Sequence, residues 1–128
     1  MNEYKCNFDL EDRTEEYSKQ ILELSKLLEK NLENNIFRKQ VVRCGTSVGA
    51  NYIEANEALS EKDFVYRIKI CRKEAKETNY WLTLIKHSND SSELLKKIYV
   101  IMDETNQLIK IFSTIIQKKE DKMNKEQN

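Results

Sequence analysis

Three carboxylates, Glu54, Glu74 and Glu77, come closest to a catalytic pattern. Two carboxyl groups facing each other could share acid and base work. On helices, however, such side chains are far more often solvated or paired with lysine and arginine. No oriented base or nucleophile accompanies them. The single histidine, His87, stands near the end of a helical pattern, where a cation suits the helix dipole. No Glu-x-x-His pair is present for a carboxylate-bridged metal centre. Neither a phosphate loop of the Walker type nor a dinucleotide fingerprint occurs. Cys6, Cys44 and Cys71 are odd in number and match no metal knuckle or CxxC spacing. Cys44 and Cys71 fall inside helical patterns, where a free cysteine acts as a small apolar residue. The expectation is a protein that is not an enzyme, with no catalytic residue, metal ligand or cofactor. A metal or small-molecule enzyme using a bundle cavity stands as a third reading, which metal analysis of the purified protein tests.

Phosphate binding is the chemistry better represented. The chain of 128 residues has a formal net charge of zero, but the charge is unevenly spread. Residues 1–35 carry a net −4 and residues 36–87 a net +4. The middle segment supplies Arg38, Lys39, Arg43, Lys62, Arg67, Lys69, Arg72, Lys73 and Lys76 as candidate nucleic-acid contacts. Lys62, Lys69, Lys73 and Lys76 share one helix face. Affinity for nucleic acid grows with the number of phosphates neutralised, so a ring of copies would bind RNA where one copy binds weakly. Against this, Glu74 and Glu77 lie nearby and could neutralise the lysines, as on any solvated helix face.

Long helices are the elements that must position these residues. The chain has no proline and two glycines, too little punctuation for a β-rich fold of this length. Tyr17, Ile21, Leu24, Leu28 and Leu32 predict a first helix over about Thr14–Leu32, capped by Asp12 or Thr14 and ended by Asn34-Asn35. A second runs over about Ile36–Ala58. The third covers about Glu61–Lys86, with Ser60 as its cap and Asp63 in the third position. Phe64, Ile68, Cys71, Ala75, Thr78, Leu82 and Ile85 form its stripe. The fourth covers about Ser92–Lys118, capped by Asp90, with a broad stripe from Leu94 to Ile116. Short links force antiparallel neighbours, so the fold class is all-α, an up-down-up-down four-helix bundle. Residues 1–118 form one domain and 119–128 a polar tail expected to fray. The polar, acidic N-terminus suggests no leader peptide, and no apolar run approaches the ~20 residues that span a bilayer. With unpaired cysteines, this points to the cytoplasm.

The second helix is unusual. Val41, Gly45, Val48, Tyr52, Ala55 and Leu59 fall on one face, and Val42, Thr46, Gly49 and Ile53 on another. Glycine inside a helix costs ~1 kcal/mol against alanine, so two glycines one turn apart predict a close approach by another backbone. Apolar or small residues on two faces predict burial on two sides, one in the bundle core and one against a sister copy. Gly45, Ser47, Gly49, Asn51 and Glu54 are the candidate packing and assembly positions.

The stretch Arg43-Cys44-Gly45-Thr46-Ser47-Val48-Gly49-Ala50-Asn51-Tyr52-Ile53-Glu54-Ala55 resembles the S-x-G/P-A/S-N-x-x-E-A/G segment of the four-helix-bundle proteins encoded in 23S rRNA intervening sequences. Ser60-x-x-Asp63-Phe64 and Lys73-Glu74-Ala75-x-Glu77-Thr78-x-Tyr80-Trp81-Leu82 fit the same family in the same order. The likeness covers residues 15–118. It implies a homopentamer of antiparallel bundles around a central channel, and no settled activity. A related branch, the accessory variability protein of diversity-generating retroelements, binds a reverse transcriptase and touches nucleic acid through a basic surface. The implied partners are therefore further copies of the chain, with RNA or a reverse transcriptase beyond them and no membrane.

Overall fold

The computed structural model describes the backbone of residues 3–127 and the side chains of residues 10–126; the side chain of Cys6 lies outside them. Four helices follow in order: α1 (Glu3–Leu27), α2 (Leu32–Asn56), α3 (Glu61–Ser88) and α4 (Ser92–Gln127). Each packs on the next, and α4 returns to α1. This is the up-down bundle that the short links require.

One continuous core fills the centre. Tyr17, Ile21 and Leu24 from α1 meet Val41 and Val48 from α2, Ile68, Ala75 and Leu82 from α3, and Ile98, Leu108 and Phe112 from α4. Burying such side chains stabilises by ~1.5–3 kcal/mol each. Tyr17 takes its hydroxyl into the core and places it 2.6 Å from Thr105 Oγ1. The α1–α4 seam is the thinnest, and a fork of two 2.7 Å bonds from Arg13 to Glu104 spans it.

The helix boundaries depart from the sequence reading at five places, the last of them the C-terminal end of α4. First, α1 begins well before Thr14, so neither Asp12 nor Thr14 caps it. Thr14 is instead buried mid-helix, and its hydroxyl donates to the Glu11 carbonyl at 3.1 Å. Second, α1 ends at Leu27. Asn31 caps α2 by accepting from Asn34 N–H at 2.8 Å, and Leu32 lies outside the core at 72% exposed. Asn34 does not end a helix; it is buried near the start of α2. Its amide exchanges hydrogen bonds of 3.2 and 3.0 Å with Asn89, which ties the α1–α2 turn to the α3–α4 turn. Third, α2 closes with Glu57 N–H on the Glu54 carbonyl at 3.2 Å, and the chain then leaves the helix. Leu59, expected on the core face, is 98% exposed as a result. Fourth, Ser91 rather than Asp90 caps α4, accepting from Leu94 N–H at 3.4 Å. The Ser60 cap of α3 is as expected, with Asp63 N–H donating to its hydroxyl at 3.1 Å. Beyond residue 118 the polar tail continues as helix to Gln127; Met123 packs against the core, and Lys119 reaches Glu61 at 3.1 Å.

Candidate functional site

Both glycines face α1. A Cβ on Gly45 would lie 2.8 Å from Ile21 Cγ1, and one on Gly49 would lie 3.2 Å from Thr14 Oγ1 and 3.3 Å from the Thr14 carbonyl oxygen. The predicted close approach exists, and it is made inside the chain. Residues four apart on a helix share a side, so α1 covers both. This corrects the assignment of Gly49 to the outer flank of α2.

The outer flank itself carries a different set. Leu32, Ile36 and Ile53 are 72%, 49% and 52% exposed, and Ala50 is exposed on the same line. Lys39 and Arg43 punctuate it. Leu32, Ile36, Lys39, Arg43, Ala50 and Ile53 follow helical spacing on the side away from the core residues Val41, Cys44, Val48 and Tyr52.

The first and third of the sequence stretches that carry the resemblance meet across the α2–α3 seam. Arg43 pairs with Glu77 and stands 3.5 Å from the buried Glu74 carboxylate. Trp81 Nε1–H donates to Glu77 at 3.0 Å. That N–H, together with the Arg43 guanidinium, holds the Glu77 carboxyl below its ordinary range. Thr78 donates to Cys44 Sγ at 3.2 Å, and Cys71 Sγ donates to the Val48 carbonyl at 3.4 Å. Asn51 donates to the Ser47 carbonyl and hydroxyl at 2.9 and 3.0 Å and accepts from Arg67 at 3.3 Å. Glu54 stands apart on the surface, beside a shallow groove that Tyr66 and Arg67 also line. Glu54, Glu74 and Glu77 therefore form no common site, and Glu74 and Glu77 are tied to Arg43 in a fixed ion-pair network.

The nine basic candidates divide by shape of side chain. All four arginines serve seams. Arg38 donates to the Ser25 and Leu28 carbonyls at 3.0 and 2.6 Å, satisfying groups at the end of α1. Arg43 and Arg67 bind as above, and Arg72 reaches Ser113 at 3.3 Å. Replacing Arg38 with alanine is expected to lower stability by ~1–3 kcal/mol while leaving RNA retention unchanged. Chemical denaturation beside an RNA-binding assay checks both halves, and lost RNA binding with intact stability would refute this role.

The lysines face outward. Lys62, Lys69, Lys73 and Lys76 are exposed along one face of α3, joined by Tyr66 and Tyr80 at 61% and 58% exposed. Lys69 touches Glu120 at 2.9 Å and Lys73 touches Glu74 at 3.5 Å, while Lys62 and Lys76 have no ion pair among the described residues. Lys39 is exposed on the outer flank of α2. The two tyrosines escaped the sequence reading, although Tyr66 fills the gap in the lysine spacing between Lys62 and Lys69 and Tyr80 extends it by one turn.

The thiols are inert by position. Cys44 and Cys71 are wholly buried, and burial pushes both upward, Cys71 from 9.0 to about 12. The folded value lies above the unfolded one. Stability is therefore fully present below pH 9 and falls as pH rises toward about 12. Urea midpoints across that window are expected to drop less steeply in Cys71→Ala than in the native chain. Identical slopes would show that the thiol does not contribute.

Among the described residues no group of three or more His, Cys, Asp or Glu is placed to hold a metal ion, and no helix is long and apolar enough to cross a membrane. His87 is exposed in the last turn of α3.

Residues 7–113 match the family model described as 23S rRNA-intervening sequence protein. The chain is also similar to a solved structure, a protein with unknown function from the S23 ribosomal protein family of Bacteroides thetaiotaomicron VPI-5482. That likeness has 32% sequence identity and a TM-score of 0.71, over 83% of this chain and 96% of the other. No curated protein matches it.

Proposed function

This chain belongs to the 23S rRNA-intervening sequence protein family, and from that premise we propose that it is a non-catalytic, homo-oligomeric binding scaffold that associates with RNA. The observation that carries this reading is the outer flank of α2. Leu32, Ile36 and Ile53 are 72%, 49% and 52% exposed there in the single chain, on a helix whose other side faces the core. Scattered surface leucines need no explanation, but a line of them along one helix face suits burial against a partner. A second copy is the partner that fits, because the resemblance implies a closed pentamer and a repeated flank satisfies every copy alike. Assembly would also repeat the α3 lysines around a ring, multiplying the charge presented to phosphates. Native mass spectrometry of the purified chain, with and without cellular RNA, tests both parts. Pentamer-sized particles that retain RNA support the reading; a chain that stays single and carries no RNA removes it.

The same lysine face would serve a subunit that assists a reverse transcriptase. A reverse-transcriptase gene with a template repeat beside this gene would favour that role. A standalone gene, or one within an rRNA operon, favours the scaffold.

A further inference from the structure

The α3 outer face carries more than charge. Lys62, Tyr66, Lys69, Lys73, Lys76 and Tyr80 follow a four-three-four-three-four spacing, which keeps all six on one line of a helix. At 1.5 Å of rise per residue the line is about 27 Å long. It contains no carboxylate. Of the nearby acids, Glu74 is buried against Arg43 and Glu77 is held by Arg43 and Trp81, while Glu120 from α4 pairs with Lys69 at 2.9 Å and Glu54, Glu57 and Asp63 share a shallow groove with Tyr66. Lys73 stays 68% exposed although one nitrogen–oxygen distance to Glu74 is 3.5 Å. Tyr66 sits between Lys62 and Lys69, and Tyr80 follows Lys76 and is braced edge-on by Trp81 with ring centroids 5.2 Å apart. Both tyrosines are more than half exposed on this otherwise cationic line.

We propose that this line is a binding track for single-stranded nucleic acid. Lys62, Lys69, Lys73 and Lys76 neutralise successive phosphates, and Tyr66 and Tyr80 each stack on an unpaired base. Charge alone would serve a duplex equally well. The rings do not, because duplex bases are stacked on one another and offer no free face, and the major groove of A-form RNA is too narrow for side chains to read. Stacking on aromatic side chains tolerates any base, so the track discriminates strand state and not sequence. The proposal deepens the RNA association argued above and rests on it.

Fluorescence anisotropy at low salt with three probes tests it: a twelve-residue single-stranded oligoadenylate, an RNA duplex of the same length, and polyglutamate as competitor. The native chain is expected to bind the single strand about tenfold or more tighter than the duplex, with polyglutamate a poor competitor. Tyr66→Ala/Tyr80→Ala is expected to lose about tenfold or more in single-strand affinity, while Tyr66→Phe/Tyr80→Phe keeps it. Changing the four lysines to glutamine lowers the slope of log affinity against log salt by up to about 3, or ~0.7 for each phosphate released. Equal affinity for the duplex, with the alanine variant binding as the native chain does, overturns the stacking track and leaves RNA association standing. No binding of either RNA, or displacement by polyglutamate as effective as by RNA, overturns both and points to an acidic protein partner. The particle mass of the alanine variant is the control: a changed mass would place the tyrosines in a subunit contact and also overturn the proposal.

Discussion

Gly45→Leu is expected to unfold at a clearly lower urea concentration than the native chain, with a loss at or above the upper end of the ~1–3 kcal/mol typical of overpacked cores. The first carbon of any side chain at that position already falls 2.8 Å from Ile21 Cγ1, and Ile21 is completely buried, so relieving the clash disturbs the core. At Gly49 the first side-chain carbon falls 3.3 Å from the Thr14 carbonyl oxygen, so a leucine there must displace the α1 backbone by a few tenths of an ångström or more. Removing a helical glycine returns ~1 kcal/mol of intrinsic preference, which is too little to offset prying α1 from α2. Denaturant midpoints at equal protein concentration, with an unchanged slope, give the measure. Native-like midpoints for both variants would mean that the two helices do not need this approach. Because the contact lies within one chain, the loss persists for the dissociated chain on dilution, unlike one arising at a subunit interface.

The second large effect concerns assembly. Ile36→Glu/Ile53→Glu is expected to reduce the particle to single chains while leaving the helical circular dichroism intact. Both isoleucines point away from the core, at 49% and 52% exposed, so the bundle has no reason to reject a carboxylate there. An interface does: burying an unpaired charge costs several kcal/mol, and each variant chain would bring two. Light scattering together with circular dichroism separates the outcomes. An unchanged mass would place the contact on another face, and lost helicity would mean that the flank belongs to the fold.

Much of this was legible from the spacing of apolar residues. The stripes through Ile21, Val48, Ile68 and Ile101 are buried where the helical period puts them, and Ser60 caps α3 because its hydroxyl is three residues from Asp63 N–H. The α1–α2 turn was not legible. Leu24, Leu28 and Leu32 keep an unbroken helical rhythm straight across it, so periodicity alone cannot mark the break. The signal was Asn31, a good cap three residues before Asn34, outweighed by an Asn-Asn pair that looks like a loop. Asn34 itself is buried because a partner 55 positions away supplies its hydrogen bonds, and no local pattern announces such a partner. The seam contacts of the arginines were hidden for a related reason. Arg38, Arg43, Arg67 and Arg72 share with the lysines a charge that composition records, but their forked donors find acceptors in the seams. Lysines, with compact and strongly hydrated charges, remain in solvent. The glycines announced a close neighbour without saying whether it was α1 or another molecule, since both leave the same absence of a side chain.

Whether the outer flank of α2 is covered by another copy can be decided by the mass of the native particle in solution. Multi-angle light scattering at micromolar concentration is expected to give a stable multiple of the 15.3 kDa chain, five copies if the family resemblance extends to stoichiometry. A steady 15.3 kDa across that range would contradict it and leave Leu32, Ile36 and Ile53 facing water.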